Sequence, residues 1–238
     1  MRIGEYEYGT ECLGEGGFGV VYKGRNIRTG NEVAVKVPKP ASGAASETDK
    51  REIALLKTLS HLNIITLLYS EEKDGKIILV LEYCKDGDLH EFIRKKRQFS
   101  EPEIKEFLHQ ILAGLEYINN KSIVHRDLKP KNILIINQGG QITYKITDFG
   151  VSRFVEYTLS YMTSAGTEKY MAPEVKNNTR ANKNIDIYSL GVILEDLVGG
   201  NIKNASPELQ NLHKNMKEEN YKKRFQLNDV KNHPFVKN

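Results

Sequence analysis

The sequence is poor in cysteine. Cys12 and Cys84 are the only two among 238 residues and stand far apart; two such residues make no disulfide framework and point to a reducing compartment. No apolar run approaches the roughly 18 residues that a membrane span needs. The opening MRIGEYEYGTECLGEG has neither the basic start nor the apolar centre of a secretion signal. The expected location is the cytoplasm, with the nucleus left open. Internal repeats, low-complexity tracts and tryptophan are also missing. Neither sign of charge dominates: 35 Lys and Arg stand against 31 Asp and Glu, a net +4. That mild basicity suits a phosphorylated ligand as well as a nucleic acid and decides nothing by itself.

With 39% hydrophobic residues the chain can still bury a sizeable core, as one large domain or two lobes. The first third reads as strands. VVYKGRN and NEVAVKVP are short runs rich in Val, joined by the turn Arg28-Thr29-Gly30-Asn31. After the loop PKPASGAAS, Ile53, Leu56 and Leu59 recur at helical spacing behind Ser46 and Asp49, which predicts a capped helix over residues 48–59. KIILVLEYC returns to strand, and from Leu89 onward the pattern is mainly helical. The division falls near EYCKDGD, giving a strand-rich part over 1–84 and a helix-rich part over 85–238.

Four stretches carry chemistry. Gly14, Gly16 and Gly19 have the spacing of a dinucleotide-binding turn, but that reading needs a helix after the third glycine. Val20-Val21-Tyr22 alternates as a strand instead, so the glycines sit at a hairpin tip where backbone N–H groups can approach phosphate oxygens. VAVK ends in Lys36, a cation on a strand that otherwise reads as buried; Glu52, on the inward face of the following helix, is placed to pair with it. SIVHRDLKPKNILI sets His125, Arg126, Asp127, Lys129, Lys131 and Asn132 between two apolar runs, hence on a loop clamped to a core. KITDFG ends a strand at Asp148. If the strands beside Asn132 and Asp148 pair as a hairpin, an amide oxygen and a carboxylate come close enough to share Mg²⁺, a hard cation that prefers oxygen. Asp127 then faces the same pocket to accept a hydroxyl proton, and Lys129 neutralises a phosphoryl group.

GxGxxGxV (residues 14–21), VAVK, HRDLKPKN, DFG and APE (Ala172, Pro173, Glu174) follow one another in the order and spacing of eukaryotic protein kinases, and the whole chain resembles that superfamily. The resemblance implies an α+β, bilobal fold: a small β-rich N-lobe with one key helix and a larger helical C-lobe. It implies ATP and Mg²⁺ as cofactors. ATP would meet Leu13, Gly14, Glu15, Gly16, Gly17, Phe18, Gly19, Val21, Ala34, Lys36, Leu81, Glu82, Cys84, Asp88 and Leu134, with Leu81 as gatekeeper, Glu82 and Cys84 offering backbone groups to adenine, and Asp88 near the ribose. Metal would sit on Asn132 and Asp148. Lys129 and the pair Gly166-Thr167 resemble the serine/threonine branch, with Thr167 positioning the acceptor beside Asp127 and Lys129. Protein substrates with Ser or Thr acceptors are implied, and no nucleic-acid partner or membrane span. Glu174 is expected to pair with Arg224, and Asp186 to hold the His125–Arg126 backbone. The loop and YKITDFG are similar to stress- and autophagy-type kinases without fixing a subfamily. Intact Lys36, Glu52, Asp127, Asn132 and Asp148 argue against an inactive scaffold, and the full segment ending in APE against a small-molecule kinase.

Regulation is expected in residues 148–174, where phosphorylation of Thr163 or Ser164 by an upstream kinase would pair with Arg126 and Arg153. Departures from the family also matter. Lys131 stands where many basophilic kinases carry Glu, although Glu168 and Glu195 match acidic positions. Tyr188 replaces a frequent Trp. Only NIKNA separates the DIYSLG helix from SPEL, so the αG region is missing. That gap is expected to expose apolar side chains near Leu197 and Val198, and with them to favour a docking partner or self-association.

Overall fold

In the computed structural model, which describes residues 1–16, 19–39, 47–149, 153–154, 168–177 and 183–237, the chain divides into two units, Met1–Lys85 and Asp86–Asn238. Residues 47–49, 51–52 and 153–154 are described by backbone alone.

The first unit is a six-stranded antiparallel sheet with one helix. Its strands are β1 (Arg2–Ile3), β2 (Tyr6–Gly16), β3 (Gly19–Asn26), β4 (Glu32–Val37), β5 (Leu67–Lys73) and β6 (Lys76–Glu82), in the order β1-β2-β3-β4-β6-β5. Alternation puts Val33 and Val35 of β4 on the same face as Ile78 and Val80 of β6, and with Ile3 and Tyr8 they form the core. The β3–β4 hairpin forms where the turn chemistry predicts. The Asn26 side-chain oxygen accepts the N–H groups of Arg28 and Thr29, both at 2.9 Å. Helix α1 spans Glu47–Leu56, three residues short of the expected end. The Thr58 hydroxyl donates to Leu55 O at 2.8 Å and satisfies one of the end carbonyls. Ile53, Leu56 and Leu59 are all buried, as their spacing requires. The expected cap, Ser46, lies outside the described residues.

The second unit is mainly helical: α2 (Leu89–Lys96), α3 (Glu101–Asn120), α4 (Pro173–Lys176), α5 (Ile185–Leu197), α6 (Pro207–Met216), α7 (Leu227–Asn232) and α8 (Pro234–Lys237), with short strands β7 (Ile123–Val124), β8 (Ile133–Gln138), β9 (Gln141–Ile146) and β10 (Arg153–Phe154). Buried residues Ile104, Phe107, Leu108, Ile111, Leu112, Leu115 and Ile118 make one stripe of α3 at the 3.6-residue period. Each such side chain contributes about 1.5–3 kcal/mol. Helix α5 is buried on nearly all sides, from Ile185 to Leu197, so it serves as the internal post against which site residues are held.

The connection from α5 to α6 holds a single 3₁₀ turn, Ile202–Asn204, and the family's αG helix is absent there. The apolar exposure expected at Leu197 and Val198 is not found, since both are buried. The link between α2 and α3 closes over the end of α5, where the Phe99 N–H donates to Leu197 O at 2.9 Å. The chain then turns away at once through Gly199 and Gly200, whose φ values of 73° and 85° strain any residue with a Cβ. A compact turn, rather than a missing helix's bare footprint, is what the sequence encodes.

Candidate active site

In the second unit, β8 and β9 pair antiparallel with Ile133 opposite Ile146. The Thr147 N–H adds a bond to Asn132 O at 2.9 Å. The hairpin inferred from sequence is therefore present, and it sets Asn132 and Asp148 at neighbouring open ends. Helix α3 fixes it from outside through one side chain that no motif or periodicity singles out. Gln110 Nε2 donates to Ile142 O at 2.8 Å, and its Oε1 accepts the Tyr144 N–H at 2.9 Å. The amide acts as a surrogate strand along β9, the segment that leads into Asp148.

The loop between β7 and β8 is held by a buried carboxylate. Asp186, in the first turn of α5, accepts the N–H of His125 through Oδ2 and that of Arg126 through Oδ1, both at 2.9 Å. Burial pushes its carboxyl above the ordinary range, while the two N–H bonds and the nearby Arg126 charge pull it back. Arg126 takes φ 73° and Asp148 φ 66°, left-handed conformations disfavoured for residues with a Cβ and characteristic of functional sites. The His125 ring joins the two loops. Nδ1 accepts the Asp127 N–H at 3.3 Å, which puts a proton on Nε2, and Nε2 donates to Thr147 O at 2.9 Å. Phe149 stacks edge-on against the same ring at 5.0 Å.

Asp127 has two unequal oxygens. Oδ2 accepts from Lys129 Nζ at 2.7 Å and from Asn132 Nδ2 at 3.0 Å. Oδ1 is buried and accepts no hydrogen bond among the described residues. Asn132 Nδ2 also donates to Asp127 O at 2.8 Å, so the nitrogen pole of the amide is committed and its oxygen pole is the one left for a cation. A carboxamide oxygen and the Asp148 carboxylate are hard donors of the kind Mg²⁺ takes, with water and phosphate oxygens completing the shell. The residues present fit that ion. No cluster of three or more His, Cys, Asp or Glu suited to a metal occurs among the described residues.

Glu174, in the first turn of α4, meets Arg224 in a two-pronged pair, Nη1 to Oε1 at 2.6 Å and Nη2 to Oε2 at 2.8 Å, as expected. The ring of Tyr188 lies 5.0 Å from the guanidinium carbon, so tyrosine supplies a π face where the family often has Trp.

In the first unit, β2 and β3 bring Gly14 opposite Val21 and Gly16 opposite Gly19, while Lys36 lies opposite Val21 and Ala34 opposite Leu81. Leu13 and Glu15 are exposed on β2, and Glu15 pairs with Lys39 at 2.9 Å. A Cβ on Gly19 would stand 2.4 Å from Val37 O, so only glycine fits there. Leu81 and Cys84 are buried, and Glu82 exchanges bonds with Thr66: N–H to Thr66 O at 3.0 Å and Oε1 from Thr66 N–H at 2.7 Å. In the second unit Asp88 caps α2 by accepting the Glu91 N–H at 2.9 Å, and it bridges to Leu134. Glu52 lies on α1, but its side chain is outside the description, as is that of Arg153 on β10. Gly17, Phe18, Thr163, Ser164 and Thr167 lie outside the described residues altogether.

Two acidic residues at the end of α5 have partners that no motif announced. Glu195 Oε1 accepts from Lys217 at 2.7 Å and His213 Nε2 at 2.8 Å. Asp196 accepts the Tyr170 hydroxyl at 2.7 Å and pairs with Lys169.

The model of the protein kinase domain matches residues 8–203. The chain is 37% identical over 207 residues to the human serine/threonine-protein kinase ULK1, covering 83% of this chain and 20% of that protein. It is 38% identical over 200 residues to the serine/threonine-protein kinase ATG1b of Arabidopsis thaliana, covering 83% of this chain and 28% of the relative. It is 38% identical over 197 residues to myosin light chain kinase A of Dictyostelium discoideum, covering 82% of this chain and 66% of the relative. The chain thus spans between a fifth and three tenths of the length of the first two relatives. With its hairpin-held Asn132 and Asp148, its Asp186-anchored loop and its Glu174–Arg224 pair, the chain belongs to the protein kinase family, on the serine/threonine branch.

Proposed function

We propose that the protein transfers the γ-phosphoryl group of Mg-ATP to Ser or Thr hydroxyls of protein substrates. The observation that carries this reading is the asymmetry of Asp127: one oxygen is doubly bonded, the other buried and open. Asp127 Oδ1 accepts the proton of the acceptor hydroxyl while the hydroxyl oxygen bonds to phosphorus and the bond to ADP breaks. Lys129 stands beside the incoming charge, and Asn132 and Asp148 hold the metal that Mg-ATP brings, which supplies charge neutralisation at the phosphates. Lys36 with Glu52, and the glycine-rich stretch 14–19, are proposed to bind the phosphates of ATP.

The membership of this chain in the serine/threonine branch supports the acceptor class. Regulation by phosphorylation at Thr163 or Ser164, read by Arg126 and Arg153 and set by an upstream kinase, belongs to the same proposal and rests on the Ser/Thr content of that segment. A cytoplasmic location rests on the low cysteine content. Asp127→Asn tests the core of the reading. Transfer from radiolabelled ATP to a generic protein mixture should fall about 10²–10⁴-fold, with ATP binding retained. Wild-type turnover in this variant removes Asp127 from the chemistry.

A further inference from the structure

The C-terminal turn of α5 carries adjacent carboxylates, Glu195 and Asp196, at the negative end of the helix dipole. Two negative charges there are unfavourable unless cations answer them. The chain supplies its own. Glu195 is answered by Lys217, beside α6, and is further hydrogen-bonded to His213 of α6, whose pKa burial lowers; both partners are largely withdrawn from solvent. Asp196 is answered by Lys169 and by the hydroxyl of Tyr170. These last two stand in the 3₁₀ turn Glu168–Tyr170, immediately after Thr167. Burial pushes the Tyr170 hydroxyl up, with the Asp196 bond adding to the effect, so it stays a donor.

The two ion pairs differ in the exposure of their cations, 27% for Lys217 against 53% for Lys169. The Asp196 side chain is 18% exposed and that of Lys169 53%, so the pair lies at the surface with its cation outermost. It also lies on the helix that holds the loop carrying Asp127. Asp186, which holds the Arg126 N–H next to Asp127, begins the same helix ten residues earlier, about 15 Å away at 1.5 Å per residue. Four or five residues of extended peptide, at about 3.3 Å each, cover that distance. The turn carrying Lys169 is fastened to α5 midway, where Ser189 Oγ donates to Tyr170 O at 2.8 Å.

We propose that Lys169 is a specificity-determining residue: its ammonium occupies Asp196 and closes that carboxylate to basic side chains of the substrate, so the enzyme acts on acceptors in neutral or acidic sequence. This rests on the kinase reading above. Lys169 fills from within the place that an arginine or lysine of a bound peptide would otherwise take. Exposed Lys131 on the catalytic loop works in the same direction, because it repels a basic peptide along the same approach.

The test compares two fluorescein-labelled acceptor peptides that differ only in arginine versus alanine at the five positions before the acceptor serine. Both kcat/KM and binding by anisotropy are read, for wild type, Lys169→Met, Lys169→Arg and the double variant Lys169→Met/Asp196→Asn. Wild type should not favour the arginine peptide. Lys169→Met should raise the arginine-to-alanine ratio about two- to fivefold, the gain expected from one partly exposed charge pair. Lys169→Arg should keep the wild-type ratio, and the double variant should return to it. An unchanged ratio in Lys169→Met, a wild type that already favours arginine, or a Lys169→Met protein that binds neither peptide overturns the proposal. Transfer to neither peptide by a wild type that binds them refutes the kinase reading instead, and the binding ratio still decides the role of Lys169.

Discussion

Replacing Arg224 by methionine should destabilise the second unit by about 3–5 kcal/mol. The side chain is fully buried and Glu174 is 4% exposed, so the pair sits where a lone charge is most costly. Arg224 makes two short bonds to Glu174, one from Nε to Glu218 O at 2.8 Å, and longer ones to Asn184 O and Glu219 O. Methionine fills much of the volume but leaves the buried Glu174 carboxylate without its guanidinium, and breaking one side of such a pair is the costly case. Against a total of about 5–15 kcal/mol for a domain, that loss is most of the margin. The double variant Glu174→Gln/Arg224→Met removes both charges and should recover at least about 2 kcal/mol relative to the sum of the single changes. Lysine is no substitute, because it offers one point charge where the site uses a planar fork. Urea unfolding followed by far-UV circular dichroism gives the midpoints, compared at constant slope. A loss below about 1 kcal/mol for Arg224→Met, or simple additivity in the cycle, would show that the pair behaves like a surface bridge and refute the reasoning.

Three further outcomes are expected. Gly19→Ala places a Cβ 2.4 Å from Val37 O at φ 150° and should cost about 1–3 kcal/mol, seen as a lower melting temperature of the whole chain; an unchanged melting temperature would mean the hairpin relaxes freely. Asp186→Asn turns an N–H donor toward one of the two N–H groups it now accepts and should cost about 1–3 kcal/mol, lowering kcat while ATP affinity, read by calorimetry, is kept. Glu103 is held down to about 2 by its bond to Lys96 and then by the Ser100 N–H. Since that folded value lies below the ordinary 4.5, its contribution is whole above about pH 4.5 and is lost as pH falls toward 2. The carboxylate is partly exposed, so solvent screening leaves about 1 kcal/mol, and Glu103→Gln should flatten stability in that acid window.

The local code of this chain was open to reading in its sequence. The strands around the Arg28–Asn31 turn and the helical stretch that became Glu101–Asn120 follow from period and turn chemistry, because those depend on neighbours a few residues away. The catalytic loop was legible too, since His125, Asp127, Lys129 and Asn132 lie within eight residues. Asp186 and Arg224 could be tied to their partners only by resemblance, at separations of 60 and 50 residues. Tertiary structure alone decided the rest. It buried Leu197 and Val198 under the α2–α3 link instead of exposing them, because backbone turning at Gly199 and Gly200 follows from packing and not from the length of a gap. It set Gln110 along β9, left one oxygen of Asp127 open, and gave Asp196 to Lys169. Such side-chain pairings join residues distant in sequence, and their direction in space is fixed only once the helices have packed.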